Sequence, residues 1–188
     1  MVKSFEKIDL TVNVEPLRKN LVKHPEYFGE YKHRTAHDQS PHREVTDIWV
    51  RYNDITPFER GEKPFSEFAD KHRSIWYPIA SKIPEVIEPV TDIMKFVNGK
   101  ELGGVLITKL PPGGQVYPHT DSGWHAEYYD KYFVPIQNDK GAEFYFIDGV
   151  IKPNEGEVYK FDNSYIHWVK NNSTKDRIAM IVCIKGEK

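Results

Sequence analysis

A single cysteine, Cys183, stands among 188 residues, so no intramolecular disulfide can form. It lies in the apolar run Ile181-Val182-Cys183-Ile184, and a thiol embedded in a strand lacks the exposed cationic setting that lowers its pKa. It reads as a small hydrophobe, and a reducing compartment, the cytoplasm, is expected. Long apolar runs are also missing: none approaches the roughly 20 residues that cross a bilayer. The start, Met-Val-Lys-Ser-Phe-Glu, lacks the apolar stretch of a secretory signal. Nor is there an excess of either charge. The 26 basic and 28 acidic side chains give a net charge of -2, which argues against a broad cationic face for a phosphate backbone. Neither nucleic acid nor membrane is expected as a partner.

What is present is a soluble-type composition, 39% hydrophobic and 29% charged, at a length typical of one domain. A single domain over residues 1–188 is expected. Its first part, 1–100, reads as a strand and helix elaboration, and 101–186 as a β core. Near the start, Ile8, Leu10, Val12 and Val14 alternate as a half-buried strand does, and Pro16 opens a short helix with Leu17 and Leu21 one turn apart. Residues 47–52 form an aromatic and β-branched strand. From Pro84 to Val97 the apolar positions recur at three and four residue steps and stop at Asn98-Gly99, which predicts a helix.

Eight strands are predicted beyond it, at 104–109, 115–119, 131–137, 142–147, 150–152, 157–161, 165–169 and 176–184. Turn chemistry separates them, as in Pro111-Pro112-Gly113-Gly114 and Asp162-Asn163-Ser164. The expected fold class is mainly β (α+β): a double-stranded β-helix of the jelly-roll or cupin-like kind, with N-terminal helices packed on one sheet.

His119 and Asp121 are separated by one residue, so on a strand both side chains share a face. His-x-Asp alone is a weak signal. His167, on another predicted strand, completes two imidazoles and one carboxylate, the facial set that leaves half of an octahedral iron(II) open. Arg177 begins an alternation with Ala179, Ile181 and Cys183, and a guanidinium on such a face needs an anion. Taken alone, a surface salt bridge to Asp176 or Glu157 explains Arg177 as well. Beside a metal site, a dicarboxylate suits its paired donors better.

The run Pro118-His119-Thr120-Asp121, the segment Gly156-Glu157-Val158-Tyr159-Lys160-Phe161-Asp162-Asn163, His167 and Asp176-Arg177 together resemble the aspartyl/asparaginyl β-hydroxylase branch of the iron(II) and 2-oxoglutarate dioxygenases. The resemblance spans residues 102–184. It implies that His119, Asp121 and His167 are the catalytic metal ligands, with Fe(II) as the metal and 2-oxoglutarate as cosubstrate. It further implies that Arg177 and Thr108 bind the distal carboxylate of 2-oxoglutarate. Several members of the branch carry glycine where this chain has Asp121. An Arg-x-His pair common on the third strand appears here as Lys131-Tyr132-Phe133, and Lys131 is taken as the cosubstrate-binding cation in its place. The implied activity is hydroxylation of a peptide side chain or small molecule, coupled to dioxygen and the conversion of 2-oxoglutarate to succinate.

Trp124, in a loop at the mouth of the site, and Arg51 are expected to contact substrate, whereas Trp49 is expected to pack against the helix. The cluster His24, His33, His37 and His42 reads as a solvated loop, since Pro41 and the lack of nearby cysteine argue against zinc. Two other readings stay open: a cupin-like metal enzyme that does not use 2-oxoglutarate, and a non-catalytic jelly-roll binding module.

Overall fold

The structure, a computed structural model, describes residues 3–64, 67–68 and 70–186; Met1 and Val2 of the N-terminal segment lie outside the described residues. Strand β1 runs Phe5–Thr11, earlier than the alternation suggests, because Val12 and Val14 turn into the core ahead of helix α1 (Glu15–Lys23). Pro16 sits in the first turn of α1, where its missing N–H costs nothing, and Leu17 and Leu21 are its buried face. Strand β2 (Thr46–Tyr52), the one-turn helix α2 (Thr56–Glu59) and the two-residue β3 (Ile75–Trp76) follow.

The helix expected from Pro84 divides into a 3-10 turn, Pro84–Val86, and helix α3, Ile87–Phe96. Pro89 has no N–H with which to bond the Glu85 carbonyl, so the α pattern can begin only where Pro89 falls in its first turn. Strands β4 (Glu101–Leu110) and β5 (Gln115–His119) come next, then helix α4 (Trp124–Tyr128). Strands β6 (Asp130–Gln137), β7 (Ala142–Phe146), β8 (Gly149–Ile151), β9 (Glu157–Phe161), β10 (His167–Asn171) and β11 (Arg177–Lys185) complete the chain. Strand β10 begins two residues later than its sequence predicts. The preceding turn continues through Tyr165, whose N–H donates to the Asp162 carbonyl, and leaves Tyr165 and Ile166 exposed.

All strand pairs are antiparallel, in a seven-stranded sheet of order β1-β9-β6-β11-β4-β2-β3 and a four-stranded sheet of order β5-β10-β7-β8. This is the expected jelly roll. The first hundred residues add β1 at one edge of the larger sheet and β2 and β3 at the other. Central strand β11 is buried on both faces. Ile178, Met180, Val182 and Ile184 point outward to a core shared with Leu17, Leu21, Val90 and Ile93 of the helices, whereas Ala179 points inward among Phe133, Phe144 and Phe161. At Gly156 the backbone turns with φ +81° between β8 and β9, where an added Cβ would lie 2.3 Å from the Val12 carbonyl oxygen. No helix among the described residues is long and apolar enough to cross a membrane.

Candidate metal centre and its cavity

Strands β5 and β10 pair so that His119 and His167 are Cα partners, and their rings stand with centroids 4.4 Å apart. Each imidazole is oriented alike. Nδ1 of His119 donates to the Tyr117 carbonyl at 2.7 Å, and Nδ1 of His167 to the Tyr165 carbonyl at 2.9 Å. A carbonyl can only accept, so both rings donate from Nδ1 and turn Nε2 toward the cavity. Fixing the tautomer through a second hydrogen bond is what a metal-binding histidine requires. Nε2 of His119 is buried without a hydrogen-bond partner and lies 3.5 Å from Oδ1 of Asp121.

Asp121 lies just past the end of β5, so the pleat of a strand does not aim it. Its N–H instead donates to the Asn163 carbonyl at 2.9 Å, and Nδ2 of Asn163 donates to its Oδ2 at 3.3 Å. Asn163 reads in sequence only as a turn residue. It is also the residue that fixes the carboxylate. Burial would raise the pKa of Asp121, but His119, Lys131 and His167 outweigh it and hold the carboxyl well below the usual range. Burial lowers the pKa of His167, opposed by its bond to Tyr165, so the ring stays a neutral donor.

A third imidazole enters the site. His42, expected in a solvated loop, has its ring 4.6 Å from that of His119, edge-on, and its Nδ1 is buried without a partner. Ligand atoms of His42, His119 and Asp121 all lie within 4.8 Å of one another. Burial pushes the His42 pKa down to about 2. No periodicity marks this residue in the sequence. The other three histidines of that cluster stay apart from the site: His24 stacks on Tyr27, His33 packs edge-on to Phe58, and His37 is exposed.

The donors face a cavity of about 450 Å³ between the sheets, into which Arg177 and Thr108 also project. Arg177 is 4% exposed, and among the described residues no carboxylate lies within 4 Å of it. Its Nε has no hydrogen-bond partner, and the guanidinium carbon stands 5.1 Å from the Phe133 ring centroid. Burial lowers its pKa to about 10. The alternative salt bridges are not formed: Glu157 pairs with Lys7, and Asp176 uses its carbonyl to accept from Gln137.

Lys131, 8% exposed, lines the same cavity opposite Cys183 on β11. Cys183 is therefore not surrounded by hydrocarbon alone: burial raises its pKa, while Lys131 lowers it. Arg51 lines the cavity as well, with Nε and Nη2 donating to the Leu102 carbonyl and its guanidinium 5.2 Å from the Trp76 centroid. Trp49 is buried, its ring stacked on Phe68 and edge-on to Tyr52, in the core cluster that also holds the buried faces of the helices. Trp124 opens helix α4, not a loop, and stacks on Tyr128 outside the cavity lining. His125 of that helix turns in instead. Its Nε2 accepts from the Gly104 N–H at 3.2 Å, and burial pushes its pKa down to about 3.

Two imidazoles that present Nε2, one ionised carboxylate, an unpartnered inward nitrogen and, in the same cavity, a guanidinium without a carboxylate partner among the described residues suit a divalent metal with a dianionic ligand. The family model for aspartyl/asparaginyl β-hydroxylases matches residues 66–186. The chain belongs to this family. The hydroxylase fold extends to solved structures. A viral collagen prolyl hydroxylase from Paramecium bursaria Chlorella virus-1, solved with 2-oxoglutarate, aligns over 99% of this chain and 97% of its own at 16% identity and TM-score 0.52. A 2-oxoglutarate and Fe(II) oxygenase-family oxidoreductase from Burkholderia pseudomallei aligns over 75% of this chain and 67% of its own at 12% identity and TM-score 0.53. No curated protein matches the sequence of this hydroxylase-family chain.

Proposed function

We propose that the protein is an Fe(II)- and 2-oxoglutarate-dependent hydroxylase in which His119, Asp121 and His167 hold the metal and Arg177 binds the distal carboxylate of 2-oxoglutarate. The observation that carries this is Arg177: a buried guanidinium with no carboxylate partner among the described residues, in the same cavity as the metal donors. A lone buried cation is costly, and an incoming carboxylate removes that cost through two parallel charge-assisted bonds. Iron(II) with 2-oxoglutarate supplies the chemistry, converting the keto acid and dioxygen to succinate and carbon dioxide while a substrate C–H bond is hydroxylated.

The chain's own residues bind, orient and exclude water. The carbonyls of Tyr117 and Tyr165 hold both imidazoles with Nε2 inward, and Asn163 holds the Asp121 carboxylate. Phe133, Phe144 and Phe161 dry the floor of the cavity around the reacting centre. Thr108 contributes a hydroxyl on β4, beside Ala179 and close in register to Arg177. Lys131 neutralises a carboxylate near Asp121. Arg51, in the lining, faces the substrate, a peptide side chain or a small molecule, whereas Trp124, outside the lining, meets only a substrate that extends beyond the cavity. A reducing compartment such as the cytoplasm suits the buried free thiol Cys183.

A metal enzyme that does not use a keto acid gains one argument, the extra imidazole of His42, but leaves Arg177 without a purpose. The test is to incubate the protein with iron(II), 2-oxoglutarate, dioxygen and a panel of amino acids and peptides. Succinate should form above background and calorimetry should register 2-oxoglutarate binding; absence of both defeats the hydroxylase reading.

A further inference from the structure

Residues 41–44 form a strap laid along β5, the strand that carries His119. The Tyr117 N–H donates to the Pro41 carbonyl at 2.9 Å, and the Gln115 N–H to the Glu44 carboxylate at 2.9 Å. The Tyr117 hydroxyl donates to the same carboxylate, and the Arg43 guanidinium lies 3.4 Å above the Tyr117 ring. Each contact falls on β5, so the strap and the His119 ligand share one rigid support. Between these anchors His42 is driven inward, its N–H held by the Ser40 hydroxyl and its carbonyl by the Val45 N–H.

That conformation leaves a buried ring nitrogen of His42 unsatisfied, a state that folded proteins rarely keep without a reason. Bonds of about 2.1 Å around an octahedral ion put adjacent donors about 3 Å apart and opposite donors about 4.2 Å apart. The 4.8 Å limit enclosing the donors of His42, His119 and Asp121 exceeds that span by a few tenths of an ångström, within reach of a small ring rotation.

We propose that His42 is a fourth protein ligand of the metal in the protein free of 2-oxoglutarate, and that it must leave the metal for turnover. The proposal rests on the reading that His119, Asp121 and His167 hold that metal. Six positions fix its consequence. Three protein donors, two oxygens of the keto acid and one dioxygen fill an octahedron, so a fourth protein donor occupies a place that a co-reactant needs. His42 therefore tightens the resting site and keeps one reactive position closed.

The test uses cobalt(II) as the probe, because its visible absorption reports the number and kind of donors. Metal-free wild type, His42→Gly and His42→Gln are titrated with cobalt(II), then with 2-oxoglutarate, after thermal melts confirm that each variant folds. Both variants should bind cobalt at least tenfold more weakly and give altered spectra. Added imidazole should restore the wild-type spectrum in His42→Gly, a rescue that a structural role for the side chain would not produce. Unchanged cobalt affinity with an identical spectrum in both variants overturns the proposal, as does a loss of affinity that imidazole leaves unrepaired. If cobalt results favour His42 while 2-oxoglutarate fails to bind wild type, it is the hydroxylase reading that falls.

Discussion

Replacing Arg177 by methionine separates a ligand-binding arginine from a structural one, because the two roles predict opposite changes in stability. The guanidinium is 4% exposed and burial brings its pKa to about 10, which disfavours the charged form the residue keeps at neutral pH. At 1.36 kcal/mol for each pH unit, that displacement costs the ligand-free fold about 3 kcal/mol. The sign follows from the cation's lowered pKa: the penalty is present at every pH below the folded value. Methionine keeps much of the packing against Phe133 without the charge, so the ligand-free variant should be about 1–3 kcal/mol more stable in urea unfolding. With 2-oxoglutarate the ranking should invert. A buried carboxylate without its partner loses about 3–5 kcal/mol, which is about 150- to 5000-fold in dissociation constant. Calorimetry reads that loss directly, and saturating 2-oxoglutarate should stabilise wild type alone. A variant that binds the keto acid within threefold of wild type, or that loses stability when ligand-free, refutes the assignment.

Asn163→Ala should weaken cobalt(II) or manganese(II) binding about 10- to 100-fold, read by titration, because Asp121 loses the donor that orients it; unchanged affinity would show that the carboxylate needs no such support. His125 stays neutral in the fold down to about pH 3, whereas the unfolded chain protonates near pH 6.5. Stability of the metal-free protein should therefore fall as pH drops below about 6.5, by about 1.4 kcal/mol per pH unit for this residue, and a flat melting profile between pH 6.5 and 4.5 would contradict that. Gly156→Ala should cost about 3 kcal/mol or more, since φ +81° and a carbonyl oxygen 2.3 Å from the new Cβ leave no relaxed conformation; a melting point within a degree of wild type would refute this. Stripping the metal with a chelator and adding manganese(II) at 100 times its dissociation constant should restore about 2.7 kcal/mol, measured by thermal shift, and no shift would argue for a non-catalytic module.

The parts of the site legible in the sequence are those fixed by strand periodicity. Arg177 faces inward because it alternates with Ala179 and Cys183 on β11, and the eight strands of residues 101–186 were delimited by turn residues whose chemistry is local. His119 and His167 meet because β5 and β10 pair in register, which only the resemblance to the family anticipates. Asp121 reached the expected neighbourhood by a different route, through hydrogen bonds to Asn163 instead of the pleat. His42 was illegible for a physical reason. Its position depends on Glu44 and Pro41 meeting β5, contacts separated by some seventy residues, and an irregular turn carries no period that would reveal where its side chains point. Trp124 was misjudged as a loop residue because a five-residue helix is too short to show a period.

Charge then constrains what the cavity can take. Asp121 contributes one negative charge and Arg51, Lys131 and Arg177 three positive ones, Arg34 being balanced by Asp47, so the charged side chains of the lining sum to +2 before any ligand arrives. On the proposed reading a divalent metal raises this to +4 and dianionic 2-oxoglutarate lowers it again to +2. Arg177 and Lys131 line one cavity with the metal donors, and Lys131 acts on the Asp121 carboxylate, so the excess positive charge surrounds the metal site itself. In a cavity walled by aromatic rings the residual positive field is weakly screened. On the proposed reading, that field favours a substrate carrying a carboxylate or another anionic group over a cationic one.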